Sequence, residues 1–189
     1  LKTKSLGRLS TMDPDGYAVV VSTAKLTVVR SEAGGYSLFE PPGTVFNISG
    51  RAGSRLRVSL APGLEGWVDA SSVVSLPKGT PPAYGTVGKY LNTTVSSDSV
   101  RLSVQVEKNL PFEIRQRTDP LGFEVRFFGG IQRLDRIRFA PQDPVISDVR
   151  WRQEDSRTVL LEVDTRLRRG WGYDGYYEKG RFVLEIRRP

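Results

Sequence analysis

Residues 171–189 read WGYDGYYEKGRFVLEIRRP, and this stretch decides what kind of fold the chain can form. In RFVLEIR the apolar residues Phe182, Leu184 and Ile186 take every second position, which is the spacing of side chains on one face of a β-strand. In WGYDGYY glycines separate aromatic residues, a pattern that suits a loop or β-arch whose rings lie against a neighbouring surface. The stretch therefore predicts a half-buried strand that follows an aromatic segment.

The same two-residue period recurs along the second half of the chain. It marks short segments rich in β-branched and aromatic residues, separated by turn signals such as TDPLG and FFGG. These segments are VRLSVQV, PFEIRQ, GFEVRFF, DRIRF, SDVRWRQ and TVLLEVD. No window shows the period of an amphipathic helix. About seven short alternating strands in residues 90–189 predict an antiparallel β-sandwich.

The first half carries shorter strand signals, of which RLRVSL (55–60) is the clearest. There Val58 and Leu60 alternate with Arg55 and Arg57, so the arginines are expected to face outward. The segments YAVVVS, KLTVVRS, GTVFNIS and GLEGWVDASSVVSL add further short strands. Short strands joined by glycine-rich turns predict a small β-barrel.

The stretch PKGTPPAYGTVGKY, residues 77–90, is rich in proline and glycine and lacks periodicity, which favours a linker. We therefore expect an all-β chain in four parts. A leader covers residues 1–15, the barrel residues 16–77, the linker residues 78–89 and the sandwich residues 90–189.

Composition limits the chemistry that the chain can perform. It has 189 residues, no cysteine and no histidine, which excludes disulfides, thiolate metal sites, cysteine nucleophiles and a Ser-His-Asp triad. The net charge is +7 and favours anionic partners, but both halves mix the two signs as solvated strand faces do. No apolar run approaches the length of a membrane span, so none is expected.

The first block resembles a bacterial Src-homology-3-like domain in the order of its motifs. KLTVVRSEAGGYSLF, PPGTVFNI and RLRVSLAPGLEGWVDASSVV match that family's opening strand, its G-T-x-V element and its closing strands. The resemblance covers residues 17–76, and Trp67 is expected to plug one end of the barrel. The chain departs from the family's L-N-V-R-S at Thr27, and Val29 adds a residue before Arg30, so the family's ligand specificity does not carry over.

The second block resembles the AMIN-type β-sandwich found in front of the catalytic domain of bacterial N-acetylmuramoyl-L-alanine amidases. The resemblance rests on SVRLSVQVEKNLPFEIRQ, on VISDVRWRQEDSRTVLLEVD and above all on residues 171–189. In such proteins this last stretch, with Phe182 where a leucine is usual, is the final strand before a zinc domain. The resemblance implies that a zinc-bearing catalytic domain follows Pro189. It implies no cofactor in this chain, which lacks the histidines of the family's zinc site.

Together the two resemblances imply a non-catalytic region that binds peptidoglycan in the periplasm or cell envelope. The expected partners are peptidoglycan and the downstream catalytic domain of the same chain, with no nucleic acid. The chain opens LKTKSLGRLS, without methionine and without the apolar run of a signal peptide, so we expect the export signal to have been removed. Two weak sites on one chain would lengthen the residence of an enzyme on a polymeric ligand.

Residue type singles out eight candidates for ligand contact. They are Tyr36, Arg55, Arg57, Trp67, Trp171, Tyr173, Tyr176 and Tyr177. Each also has an ordinary explanation: barrel packing for the first tryptophan, core or loop packing for the tyrosines, and a solvated strand face for the arginines. The aromatic residues near the end also suit an interface with another domain.

Other function classes compete with wall binding. The sandwich suits a structural or regulatory module that docks on its catalytic domain or on a partner protein, and a basic small barrel suits nucleic-acid binding. The mixture of positive and negative charges argues against nucleic-acid binding. Glu162 with Asp164, and Glu154 with Asp155, are carboxylate pairs of the kind that hydrolyse glycosides, but both lie among arginines as ordinary surface residues do.

Overall fold

The structure is a computed structural model that describes residues 18–31, 37–140 and 143–187. Within these residues it contains seventeen β-strands in three sheets, a 3-10 turn at Ala70–Ser72 and no α-helix, which confirms the all-β class. No helix of this described part has the length and apolar character needed to cross a membrane. The predicted leader, residues 1–15, lies outside the described residues.

The first part of the chain forms one sheet that curls around a core of its own. Its strands are β1 (Ala18–Ser22), β2 (Thr27–Ser31), β3 (Ser37–Glu40), β4 (Val45–Ala52), β5 (Arg55–Ala61), β6 (Leu64–Asp69) and β7 (Val73–Ser75). They pair antiparallel in the order β3-β2-β6-β5-β4-β1-β7, so β3 and β7 are the edges. Phe46, Val58 and Val68 are fully buried inside this half-barrel.

Strand β2 shows which face of the half-barrel stays exposed. Thr27 and Val29 are buried, because they take the inward positions of the alternation. Leu26 and Val28 alternate with these residues and therefore lie on the outer side, where Leu26 is 53% exposed. Strand β5 follows the predicted alternation, with its arginines outward.

The second part of the chain forms two sheets. Its strands are β8 (Gly85–Val95), β9 (Ser99–Val106), β10 (Phe112–Thr118), β11 (Leu121–Phe128), β12 (Gly130–Gln132), β13 (Arg136–Arg138), β14 (Ile146–Asp155), β15 (Thr158–Thr165), β16 (Gly172–Glu178) and β17 (Arg181–Arg187). One sheet has the order β10-β11-β15-β14, and the other has the order β12-β8-β9-β17-β16 with β13 also paired to β8. The pairs are antiparallel except that β12 and β13 run parallel to β8.

These two sheets enclose one hydrophobic core. Phe182, Leu184 and Ile186 are fully buried on the six-stranded sheet, and Phe123 and Val125 belong to the same core from the four-stranded sheet. Each fully buried side chain of this size contributes about 1.5–3 kcal/mol relative to an exposed one. The period-two pattern of the sequence thus correctly predicted the inward residues of the main strands.

The aromatic segment differs from the predicted loop or arch, because it forms strand β16 along β17. Tyr173, Gly175 and Tyr177 take the positions opposite the buried residues of β17 and so face the core side. At Gly175 a Cβ atom would lie 2.4 Å from Cδ1 of Ile114, so only glycine lets the other sheet close over this edge. Tyrosine favours extended backbone, and pairing with β17 supplies the ladder that a loop would lack.

The connection between the two parts is shorter than its composition suggests. Strand β8 begins at Gly85, so the range 78–89 predicted as a linker includes the first residues of a strand. Just before it, the buried N–H of Ala83 donates to Oδ1 of Asn47 at 2.6 Å. This hydrogen bond ties the end of the connection to the half-barrel.

The half-barrel and the sandwich pack directly against each other at a contact that we call the seam. The N–H of Val45 donates to the carbonyl oxygen of Asn109 at 2.9 Å, and the N–H of Phe112 donates to Oε1 of Glu40 at 2.9 Å. Phe128, the last residue of β11, is buried in the core of the half-barrel. Backbone, side-chain and apolar contacts therefore all cross the seam.

Candidate binding surfaces

Three of the predicted candidates lie side by side on the outer face of the half-barrel. Cross-strand pairing places Trp67 of β6 beside Arg57 of β5 on one side and beside Arg30 of β2 on the other. Arg55 pairs with Asp69 in the next outward row. We call these five residues the Trp67 face.

Trp67 does not plug the half-barrel. The inward positions of β6 belong to Gly66 and Val68, which are buried, and a Cβ on Gly66 would lie 2.5 Å from Cγ1 of Val29. The half-buried indole of Trp67 therefore lies on the outer side, outside the residues that make up the half-barrel core. A half-buried indole on the outer side of a sheet is suited to stacking.

The arginines of the Trp67 face are loosely paired. Nη1 of Arg30 lies 3.4 Å from Asp69 and Nε of Arg55 lies 3.9 Å from the same carboxylate, and both arginine side chains are about half exposed. Arg57 is held more firmly, since its Nε donates to Oγ of Ser49 at 3.2 Å. The face thus combines a fixed arginine, two accessible ones and a ring.

Tyr177 is a seam residue. Its hydroxyl donates to the carbonyl oxygen of Leu110, and its ring meets Phe112 and Phe182 edge to face with centroids 5.7 Å apart in each case. Burial raises the pKa of Tyr177 well above its usual value, and the charge of nearby Glu40 adds to the effect. Packing against these neighbours is sufficient to explain the position of Tyr177.

The other predicted aromatic residues are scattered. Trp171 is half-buried against the sandwich core, in a loop that also carries Arg168 and Arg169. Tyr173 meets Phe123 edge to face at 5.1 Å, yet it is still 39% exposed. Tyr36 lies outside the described residues.

A groove of about 580 Å³ runs along the seam. Its walls come from the half-barrel on one side and from the two sheets of the sandwich on the other. The lining residues are Lys25, Leu26, Ser37, Leu38, Phe39, Pro41, Phe112, Glu113, Ile114, Tyr173, Asp174, Gly175 and Tyr176. We call this feature the groove.

The groove gathers exposed apolar side chains that sequence reasoning partly missed. Phe39 is 59% exposed, and it shares the groove with Leu26 and Tyr173. Tyr173 and Tyr176 were candidates by residue type, whereas Leu26 and Phe39 were not. The alternation of β3 places Phe39 outward, but nothing local shows that another strand lies opposite it. Exposed apolar side chains collected in one place mark a surface that contacts something else.

Glu40 lies at the seam between two residues that line the groove. It is fully buried, and its Oε2 has no hydrogen-bond partner within the described chain. Burial raises the pKa of Glu40 well above its usual value, against the lowering effect of the hydrogen bond from Phe112. A buried carboxyl without a nearby cation is most stable as the neutral acid.

The outer face of the four-stranded sheet, which we call the ladder face, consists of paired charges. Arg126 lies 2.9 Å from Glu154, 3.0 Å from Glu124 and 3.8 Å from Glu113. These contacts leave the guanidinium of Arg126 with little unused capacity.

The carboxylate pairs weighed as glycosidase residues lie on the ladder face too. Asp164 accepts hydrogen bonds from Arg117 and Arg150, and the bond from Arg117 is the main reason why the pKa of Asp164 lies below its usual value. An acid catalyst needs a raised pKa, so this carboxylate is unsuited to that role.

In the described part of the chain, no group of three or more His, Cys, Asp or Glu side chains is placed to hold a metal ion.

Comparison with family models, with curated proteins and with solved structures finds no match to this chain.

Proposed function

We propose that this chain is a non-catalytic region that binds peptidoglycan in the bacterial cell envelope. The observation that carries the proposal is the Trp67 face, where a half-buried indole lies between arginines on the outer side of the half-barrel sheet. On the motifs described above, we further propose that the half-barrel is Src-homology-3-like and the sandwich AMIN-type. The parent protein would then be an N-acetylmuramoyl-L-alanine amidase.

The chemistry of peptidoglycan matches that of the Trp67 face. A sugar ring has an apolar side that stacks on an indole, and aromatic residues supply such contact area with a polar handle beside it. Carboxylates of the stem peptide suit the forked guanidinium donors of Arg30 and Arg55. Asp69 can accept hydrogen bonds from sugar hydroxyls next to them.

The residues of this chain do not fit a catalytic zinc site. Zinc enzymes of this type hold the metal through histidine and carboxylate, and the chain has no histidine. Hydrolysis would belong to another domain of the parent protein. The role proposed here is retention on the wall, aided by the net charge of +7 near an anionic polymer.

Co-sedimentation with purified peptidoglycan sacculi tests this function. We expect the folded chain to sediment at low salt, and Trp67→Ala to lower the affinity about tenfold, which corresponds to the loss of one central stacking contact. Phe139→Ala removes an exposed ring outside both the Trp67 face and the groove, and should bind like the parent chain.

Circular dichroism of both variants shows whether the fold is intact. A folded parent chain that stays in the supernatant would contradict the function. Equal binding by the two variants would show that the wall contacts a surface other than the Trp67 face.

A further inference from the structure

Three edge strands meet at the groove. Strands β3, β10 and β16 are the outermost strands of the half-barrel sheet, the four-stranded sheet and the six-stranded sheet, respectively. Each contributes consecutive residues to the groove: 37–39 from β3, 112–114 from β10 and 173–176 from β16. Edge strands carry backbone N–H and C=O groups that lack a strand partner on one side, and such edges are where an added strand binds.

The open edge of β16 faces away from β17 with identifiable groups. The N–H of Gly175 donates to Oδ1 of Asp174 at 2.9 Å in an exposed position, so it is not a donor to β17. In an antiparallel pair, residues alternate between those that bond to the partner strand and those that point away. Tyr173 and Tyr177 therefore share the orientation of Gly175.

Two other edges of this protein, β12 and β10, are partly covered by side chains of other strands. The N–H of Gln132 on β12 donates to Oε1 of Gln153, and Nε2 of Gln153 donates to the carbonyl oxygen of Gly130. At β10, the N–H of Phe112 donates to the carboxyl of Glu40. On β16, by contrast, the edge N–H of Gly175 donates to the neighbouring carboxylate of its own strand, which an incoming strand can displace.

The side chains around this edge suit an extended chain with apolar residues at alternate positions. Phe39 and Leu26 stand on the opposite wall, and Tyr173 stands on β16 itself. Cross-strand pairs between aromatic and β-branched side chains stabilise the pairing of neighbouring strands. Every second residue of an added strand would meet these side chains.

The acidic side chains of the groove already have basic partners. Glu113 lies 3.1 Å from Arg115 and 3.8 Å from Arg126, and Asp174 lies 3.3 Å from Arg187. An uncharged segment therefore complements the groove, because it brings no charge that these pairs would have to compensate.

We propose that the groove binds an extended, uncharged peptide segment of a partner protein, which adds as a further strand to the open edge of β16. The backbone of that segment bonds to Tyr173 and Gly175, and its alternate side chains pack on Phe39 and Leu26. This site is separate from the Trp67 face, so it does not depend on wall binding.

Selection from a phage-displayed library of short random peptides tests the proposal. The folded parent chain serves as bait, and the folded Tyr173→Ala chain serves as the counter-selection. We expect enriched peptides that alternate apolar and uncharged polar residues. Binding by the synthesised peptides should perturb the amide resonances of 173–177 in nuclear magnetic resonance spectra.

Backbone pairing is tested on the enriched peptides themselves. Methylating alternate amide nitrogens should weaken binding about thirtyfold, since two backbone hydrogen bonds of about 1 kcal/mol each are lost. The Phe139→Ala chain, which loses an exposed ring outside the groove, should bind the unmodified peptide as the parent does.

Three results would each overturn the proposal: no enrichment over the counter-selected chain, undiminished binding of the methylated peptide, or a footprint outside the groove. Wall binding without peptide binding would leave the Trp67 face standing and remove this site alone.

Discussion

The Trp67 face and the ladder face are both arginine-rich strand surfaces, yet their arginines are partnered differently. On the ladder face Arg126 contacts three carboxylates within 3.8 Å and is 20% exposed. On the Trp67 face Arg55 is 59% exposed, and Asp69 lies 3.9 Å away. The sequence shows the same alternation of arginine with apolar residues in both places.

The difference teaches that an arginine on a strand is informative only together with what lies across from it. Where carboxylates from neighbouring strands already accept its hydrogen bonds, the guanidinium stabilises the sheet. Where they do not, its donors remain available to a ligand. Changes to single charges should therefore alter stability on one face and binding on the other.

The largest effect is expected at the seam, where Glu40 is fully buried. Glu40→Lys places an ammonium at this position and should lower the free energy of unfolding by more than about 3 kcal/mol, because the charge is taken out of water. Glu40→Gln keeps an acceptor for the N–H of Phe112 and serves as the matched control. Urea unfolding at neutral pH measures both, and equal stability of the two variants would show that the seam is open to water.

The parent chain and the Glu40→Gln chain should also differ in how their stability changes with pH. Burial raises the folded-state pKa of Glu40 above its unfolded value, so the folded state keeps the proton longer. The parent chain should therefore lose stability as pH rises from about 4.5 through the folded pKa, and the Glu40→Gln chain should not show that loss. Identical stability profiles of the two chains above pH 5 would speak against a buried neutral acid.

Arg126→Ala should have the next largest effect and should act on stability alone. It leaves three carboxylates facing one another, and we expect the free energy of unfolding to fall by about 1–2 kcal/mol. Sedimentation with sacculi should not change. Arg152→Ala, which removes a single contact of 3.7 Å, is the control and should cost less than about 0.5 kcal/mol.

Arg55→Ala should have the opposite pattern of effects, with weaker binding and little change in stability. Affinity for sacculi should fall about threefold to tenfold, while the free energy of unfolding should stay within about 0.5 kcal/mol of the parent value. Raising the salt concentration should weaken wall binding of the parent chain, because exposed charges are screened beyond about 10 Å at 0.1 M. A loss of stability without a loss of binding would place Arg55 with the ladder residues and end the distinction.

The smallest effect is expected from Asp164→Asn on the ladder face. Arg117 holds the folded-state pKa of Asp164 below its usual value, so this carboxylate adds stability that is lost as pH falls below about 4. The variant should lose about 1 kcal/mol or less at neutral pH, and its stability should fall less steeply in acid. If the stability of the variant fell in acid as steeply as that of the parent, Arg117 and Arg150 would not bind this carboxylate in solution.

Sequence reasoning correctly predicted what depends on neighbours along the chain. The alternation in RFVLEIR identified Phe182, Leu184 and Ile186 as core residues, and the outward position of Arg55 and Arg57 followed from the same rule. It did not show that Trp67 would lie beside Arg57, because that depends on the register between β5 and β6.

The seam was beyond the reach of sequence patterns for a physical reason. Glu40 and the N–H that it binds are 72 positions apart, and no local pattern links residues at that distance. The strand character of Gly172–Glu178 was missed because glycines interrupt the alternation, although they are what allows the two sheets to close there. Features that arise where separate sheets meet need the assembled fold.

Phe127 and Phe128 are neighbours on one strand, yet they belong to different cores. Phe127 is buried in the sandwich, whereas Phe128 fills part of the half-barrel. If residues 18–77 were transferred to another gene, the half-barrel would lose the ring of Phe128. Deleting a buried phenylalanine side chain lowers the free energy of unfolding by about 3–5 kcal/mol. The half-barrel thus takes part of its core from the sandwich, and a protein engineer who wants the half-barrel alone must refill the gap.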